Sequence, residues 1–512
     1  MNVPDIATCV KRGWAKIPRH IKVTFFAAMV IGLLVHIYML VNKFPNHDDV
    51  GQMFDQMRRA HTGRWFLHVP TALTSRVSLP WVKGLAQIFY IALSACLVAS
   101  CMRIKDEVYC VLLAAVMVCF PTVASTLSYM NNPLFFSLLL ACLAAFLADR
   151  YRWGFLAGIV CIALSLGIYQ AYIGVAAALM VSMLLMGLLR GQPVKDTLFK
   201  AARFLLALGL GVVAYIGIVK WTMRGTELTA YMGVSNMGQI PLREMPSLIL
   251  TAYQGFSGFF IDNARFVHFA AMKYVFAGAT VVLLGLLGIL AANKKLNWVQ
   301  RVLAVVMVAI LPIAINAVYL LNADDVHMLM VYGLVVIFVL MLALLQMGKG
   351  GEHKGWAQMA VQLSSWALSL VVLMSCYNYA LVSNQAYLKL QIVYEQGYAY
   401  SIELVSQIRA VEDYSTADTV VFVGQPRVGT SAVPEEVDSK LKGMTGVISE
   451  IPGSYSYTTY LKRYVGFTQT VVSANKDKVA ELGLADLVGE MPVYPNAGSV
   501  VKQGDMIVIR FS

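Results

Sequence analysis

Eleven apolar stretches are strung along the first 382 residues, and they constrain the fold more than any other feature of the chain. They run at roughly 21–41, 84–103, 107–125, 132–149, 153–168, 170–189, 200–221, 266–292, 299–320, 327–346 and 358–382. A helix needs about 20 apolar residues to cross the hydrocarbon core. In lipid, only helices or closed barrels satisfy every backbone group internally. The chain therefore reads as a polytopic α-helical membrane protein with about eleven transmembrane helices. Composition agrees: 59% of the 512 residues are hydrophobic and 13% are charged, against about a quarter charged in soluble domains. A cytosolic enzyme, a disordered regulator and a fibrous protein are excluded.

Charge sets the expected orientation. With the N-terminus in the cytoplasm, Lys11, Arg12, Lys16 and Arg19 precede the first span, and the later inside loops carry pairs such as Arg150 and Arg152 or Lys294 and Lys295. That is the positive-inside bias. An odd number of spans then places residues 383–512 outside. The first span is too long, and lacks a small-residue cleavage site, to be a cleaved signal peptide. The net charge of +12 does not point to nucleic acid. Residues 383–512 hold 11 Lys/Arg against 14 Asp/Glu, so the excess belongs to the membrane part. Seven of the eight cysteines lie in or at spans and Cys9 is cytoplasmic, so no disulfide is expected outside. Stretches 153–168 and 170–189 are separated only by Gly167-Ile168-Tyr169-Gln170-Ala171-Tyr172. They read either as a tight hairpin or as one broken helix.

Polar residues gather in outer loops. Loop 42–83 begins Asn42-Lys43-Phe44-Pro45-Asn46-His47-Asp48-Asp49. Two readings stand for the acidic pair. In one, Asp49 caps a helix from Val50 to about Ala60 and Asp48 is a solvated neighbour. In the other, a carboxylate at the membrane surface takes a proton from an attacking hydroxyl. The pair, with His47 or Asn46, is also a candidate site for a divalent cation such as Mg2+ or Mn2+. Further along, Gly63-Arg64-Trp65-Phe66 is a basic and aromatic cluster suited to the headgroup plane.

Loop 222–265 carries Arg243 and Arg265, whose guanidinium forks suit phosphate oxygens. Its aromatic run Tyr253–Phe260 is too short to span and reads as interfacial or re-entrant. A short loop carries Asp324, Asp325 and His327, which read as supporting wall, cation ligands or a helix cap. His47, Asn131 and Asn132, and the hairpin residues Tyr169, Gln170 and Tyr172, are candidates for binding the sugar or the acceptor. All but His47 are equally suited to satisfying backbone at helix breaks. Asn316 reads as a bond to a neighbouring helix.

Residues 383–512 read as a small α/β domain beside the 1–382 membrane domain. The predicted elements are a helix continuing from the last span to about Val411, a strand at 419–424, a helix near 475–483 and a final strand at 506–511. No nucleophile motif is present, so the domain suits scaffold or acceptor recognition.

The polar surface thus lies outside, where no nucleotide-sugar is normally supplied. A donor there must carry its own activation, as a lipid-linked phosphosugar does. The sequence resembles the GtrII-type O-antigen glucosyltransferases, bacterial inner-membrane enzymes. The resemblance is carried by Asn46-His47-Asp48-Asp49 after the first span, the Gly167–Tyr172 hairpin, Asn384-Gln385-Ala386-Tyr387, and Met491-Pro492-Val493-Tyr494-Pro495 with Gly498-Ser499. It implies the GT-C architecture and a role in lipopolysaccharide modification. The implied reaction moves glucose or a similar hexose, with inversion, from undecaprenyl phosphate to a lipid-linked O-antigen or other envelope glycan. The implied base maps onto Asp48 or Asp49, and the implied phosphate contact onto Arg243 or Arg265. A functional link to a flippase and a lipid-phosphate-glucose synthase is also implied. The rival readings are a flippase for a lipid-linked sugar, expected to show two related halves, and a GT-C transferase using another lipid-phosphate sugar.

Overall fold

The computed structural model describes residues 5–54, 62–129, 133–222, 242–262, 266–292, 296–320, 326–351, 354–428, 433–447 and 451–512. Asn131, Asn132, Arg265, Asp324 and Asp325 lie outside the described residues. The helical part runs α1 (Ile6–Lys16), α2 (Arg19–Val41), α3 (His47–Gly51), α4 (His68–Leu73), α5 (Pro80–Met102), α6 (Glu107–Cys119), α7 (Pro121–Leu127), α8 (Phe135–Arg150) and α9 (Gly154–Leu166). It continues with α10 (Ile173–Leu189), α11 (Val194–Thr222), α12 (Met245–Ser257), α13 (Met272–Ala291), α14 (Trp298–Ile315), α15 (Val335–Lys349) and α16 (Trp356–Arg409).

Among the described residues, eight helices are long and apolar enough to cross a membrane, and the bent pair α6–α7 makes a ninth. The chain is a multi-pass membrane protein. Every predicted stretch falls on one of these helices or on α8 and α9. Those two have 16 and 13 residues, fewer than a span ordinarily needs, which is why eleven stretches give eight or nine helices of full length.

Burial separates helices at the rim from those inside. On α2, Thr24, Ala28, Gly32, His36 and Met39 form one buried stripe at helical spacing. Phe26, Val30, Leu34 and Ile37 face outward, Leu34 with 72% of its surface exposed, as a lipid-facing side requires. By contrast, α10 and α15 are buried around nearly their whole circumference. Gly174 at the start of α10 and Gly333 before α15 both approach the end of α14, where a Cβ on either would run into the Ile315 carbonyl. Asn316, one residue on, donates through Nδ2 to the Ala252 carbonyl of α12 at 2.7 Å, the interhelical bond its position predicts.

The break between α6 and α7 is chemically explicit. Pro121 has no N–H to return to the Met117 carbonyl, and the helix bends by 45° there. Two side chains complete the broken turn. The Tyr332 hydroxyl donates to the Met117 carbonyl at 2.6 Å. His36 Nε2 donates to the Val118 carbonyl at 2.8 Å, which leaves Nδ1 to accept from the Tyr387 hydroxyl at 2.7 Å. Unpaired carbonyls in hydrocarbon are expensive, so α2, the Tyr332 turn and α16 are all tied to this bend.

The helix α16 is 54 residues long, about 80 Å at the usual rise per residue. It passes residue 382 without a break into the terminal part. There β1 (Thr419–Val423), β2 (Val471–Ala474), β3 (Val500–Gln503) and β4 (Met506–Arg510) form one sheet in the order β2-β1-β4-β3. The strand β1 is parallel to both β2 and β4, and β3 pairs antiparallel with β4. One side of the sheet packs on α16 through Leu404 and Ile408. The predicted helix near 475–483 is Lys476–Glu481, capped by Asn475.

Candidate active site

Loop 42–83 forms a short helix, α3, three residues earlier than the acidic pair suggests. Asn46 is the cap of α3: its side chain accepts from the Asp49 amide at 3.0 Å. Its Nδ2 donates to the Ser128 carbonyl beyond α7 at 2.7 Å, so the same amide clips α3 to the end of the bent span. The capping reading of Asp49 is therefore corrected: the helix expected from Val50 starts at His47 and ends at Gly51, and the remainder of that expected helix, 55–60, lies outside the described residues. A helix begun at residue 47 turns its successive side chains in three directions.

Val50 is fully buried in the core of the terminal part, with Leu404, Tyr457 and Tyr460. Asp49 is 3% exposed and lies within electrostatic reach of Lys43, Lys83 and Tyr464. Burial pushes the Lys43 ammonium down, and the Asp49 carboxylate works against that shift. Lys43 Nζ also donates to the Ser78 carbonyl at 3.2 Å. Lys83 is fully buried. Burial pushes the Tyr464 hydroxyl up, and the nearby Asp49 charge adds to it. Asp48 faces the other way, with a quarter of its side chain exposed. Its Oδ1 accepts from the Tyr455 hydroxyl and lies 3.8 Å from His47 Nε2. The His47 and Tyr455 rings meet edge to face with centroids 5.5 Å apart.

The hairpin residues sit in the same end of the bundle but point inward. Tyr169 and Tyr172 are 3% and 1% exposed, and Tyr172 packs against Tyr332 and Phe135. Gln170 gives its amide to the Tyr215 hydroxyl at 2.9 Å and the Thr62 carbonyl at 3.3 Å. The Gly63–Phe66 cluster lies on this hairpin: the Phe66 amide donates to the Gly167 carbonyl at 2.8 Å, and the Arg64 guanidinium sits 5.0 Å over the Tyr169 ring. The expected headgroup-plane cluster is thus packed against the second motif of the sequence. His327 precedes a turn tied to α7, where Thr122 Oγ1 donates to the Met328 carbonyl at 2.9 Å. Arg243 has an 84% exposed side chain, with its Nε 3.9 Å from a Glu244 carboxylate oxygen. The aromatic run is helical, with a π-turn at Gly258–Asp262, and Phe259 stacks on Phe120 at the bend. Among the described residues, no three His, Cys, Asp or Glu side chains come together as a metal site.

Sequence reasoning missed Tyr455 and Lys83. Lys83 carried a weak signal, a cation at the threshold of the 84–103 stretch, which α5 takes in by starting at Pro80. Tyr455 carried none, since 407 positions separate it from Asp48.

A bundle of membrane helices joined to a small α/β part defines the class: a polytopic membrane protein. The comparisons give the family. Residues 37–340 match the family model "Glucosyl transferase GtrII", so the chain belongs to the GtrII glucosyl transferase family and is a glycosyltransferase. The match includes α3 and the hairpin and ends before α16. Neither the curated proteins nor the solved structures gave a match.

Proposed function

We propose that the protein is a GT-C transferase of eleven spans that moves glucose or a similar hexose from undecaprenyl phosphate to a lipid-linked O-antigen or other envelope glycan. In this reading the N-terminus is cytoplasmic, the reaction face periplasmic, and 383–512 a periplasmic domain. The observation that carries the reading is the division of labour on α3. Asp49 is enclosed with lysines, whereas Asp48 is fixed by Tyr455 and still open to solvent.

Asp48 is the general base. One carboxylate oxygen accepts from Tyr455, and the other is left for the acceptor hydroxyl. As that hydroxyl oxygen attacks the anomeric carbon, its proton passes to Asp48. The bond from the anomeric carbon to the phosphate oxygen breaks, and undecaprenyl phosphate leaves with the electron pair. A single displacement inverts the anomeric centre. Positive groups stabilise the departing phosphate; Arg243 and Arg265 are the proposed contacts, with Asp324, Asp325 and His327 as supporting wall.

The test is mass spectrometry of products from purified protein, an undecaprenyl-phosphate hexose and a cell-envelope lipid fraction. Wild type should add one hexose to the acceptor. Asp48→Asn should lose transfer by about 100-fold or more, as expected for removal of a general base, with an unchanged unfolding midpoint. Asp49→Asn should instead lower the unfolding midpoint. An Asp48→Asn enzyme at wild-type rate would remove the base assignment. Absence of transfer by wild type would remove the proposed donor.

A further inference from the structure

A cleft of about 400 Å³ opens beside Asp48, between α3 and the terminal part. This is within the roughly 300–1,000 Å³ typical of small-ligand sites. His47 supplies its wall from the membrane side. Gln425 and Arg427, on the loop leaving β1, and Ser454 and Tyr455, on the loop before Tyr457, supply the rest.

Three features mark it as a built site. The first is its place: the 425–427 loop leaves the carboxyl end of β1, which is parallel to both neighbours, and open α/β sheets bind ligands outside the carboxyl ends of such strands. The second is its fit. Gly453 has φ +88°, and a Cβ there would come within 2.6 Å of the Pro426 carbonyl, so the two loops close only around a glycine. The third is its chemistry. An imidazole, an amide, a guanidinium, a hydroxyl and a phenol line it, and the apolar side chains are prolines. Such walls offer donors, acceptors and an aromatic face, and no aliphatic slot for a lipid tail.

We infer that this cleft is the acceptor-glycan site, with Gln425 and Arg427 reading hydroxyls of the incoming sugar and Tyr455 as the residue that both positions Asp48 and borders the bound glycan. The inference rests on the transferase reading and adds that acceptor choice resides in the terminal part. The shared wall explains the arrangement: a glycan held by residues 425–427 presents its hydroxyl to the carboxylate that Tyr455 holds.

The experiment is direct binding. Glycan released from the envelope lipid fraction is fluorescently tagged and titrated by anisotropy against the full-length protein in detergent. Wild type should bind. Arg427→Ala and Gln425→Ala, with unfolding midpoints matching wild type, should each weaken binding about tenfold or more. Asp48→Asn should bind as wild type while failing in transfer. Tyr455→Phe should lose turnover and keep most glycan affinity, because the ring stays and the hydroxyl that fixes Asp48 goes. Absence of binding by wild type, or wild-type affinity in both Arg427→Ala and Gln425→Ala, overturns the cleft assignment. Binding that depends on Arg427 and Gln425 without transfer from the lipid-linked hexose would uphold the glycan site and sink the transferase reading instead.

Discussion

Two adjacent aspartates occupy environments as different as a protein surface allows. A helix places neighbouring side chains about 100° apart, so starting α3 at His47 sends Asp49 toward Lys43 and Lys83 and leaves Asp48 at the cleft. The sequence shows the pair; it does not show the start, because Asn, Asp and Asp all cap helices well. A second carboxylate, Asp418, gives a pH test of the terminal part. The hydrogen bond from Lys502 Nζ at 2.9 Å, and after it the Ser415 amide at 2.8 Å, hold its carboxyl below the ordinary range. A depressed folded value means the unfolded chain binds the proton more readily. The stabilisation is therefore present above the ordinary aspartate value of about 3.9 and is lost as pH falls through the folded value. Wild type should unfold at a higher temperature than Asp418→Asn at pH 6, and the gap should close below about pH 4. Equal midpoints at pH 6 would show that the pair contributes nothing.

Elements differ in how openly the sequence declares them. Long apolar stretches declare themselves by length, and each predicted one coincides with a helix. The strands β2 and β3 were not legible: four residues each, Val471–Ala474 and Val500–Gln503, are too short to show alternation above background. The stretch 107–125 reads as one span through Pro121, and the compensation at the bend is not legible, because Tyr332 and His36 are brought there only by tertiary folding. That compensation is measurable. Tyr332→Phe removes the donor to the Met117 carbonyl and should destabilise the protein by about 1–3 kcal/mol, the usual cost of an unsatisfied buried acceptor. In a Pro121→Ala background the restored N–H can reach the same carbonyl, so Tyr332→Phe should cost much less there. Denaturation of the four proteins in a double-mutant cycle reads the coupling directly. Equal costs in both backgrounds would mean that the hydroxyl and the missing amide are unrelated.

At the scale of the whole molecule, the question is whether the terminal part stays seated during turnover. The seat is broad. Ser125 Oγ donates to the Thr445 carbonyl at 2.6 Å, the Phe266 amide to the Lys440 carbonyl at 3.1 Å, and Lys389 of α16 pairs with Asp438. Leu441, Met444 and Val447 are buried in the core of the membrane part, and Val50 is buried in the core of the terminal part, so each half contributes to the other's interior. A part held this way should act as a fixed wall of the site and not as a swinging lid. The geometry supplies a test, because a Cβ added at Gly51 would lie 3.8 Å from that of Ser456, the mean separation across a disulfide. The native cysteines do not compete, as Cys9 is the exposed one and none lies in the terminal part. Gly51→Cys with Ser456→Cys should cross-link under mild oxidation and keep transfer within about twofold of the reduced form. The chain should also run as one species on a non-reducing gel, since the bond is intramolecular. A cross-linked enzyme that is inactive and recovers on reduction would show that the terminal part must lift from α3 between acceptors. The cleft beside Asp48 would then be a site assembled anew in each cycle.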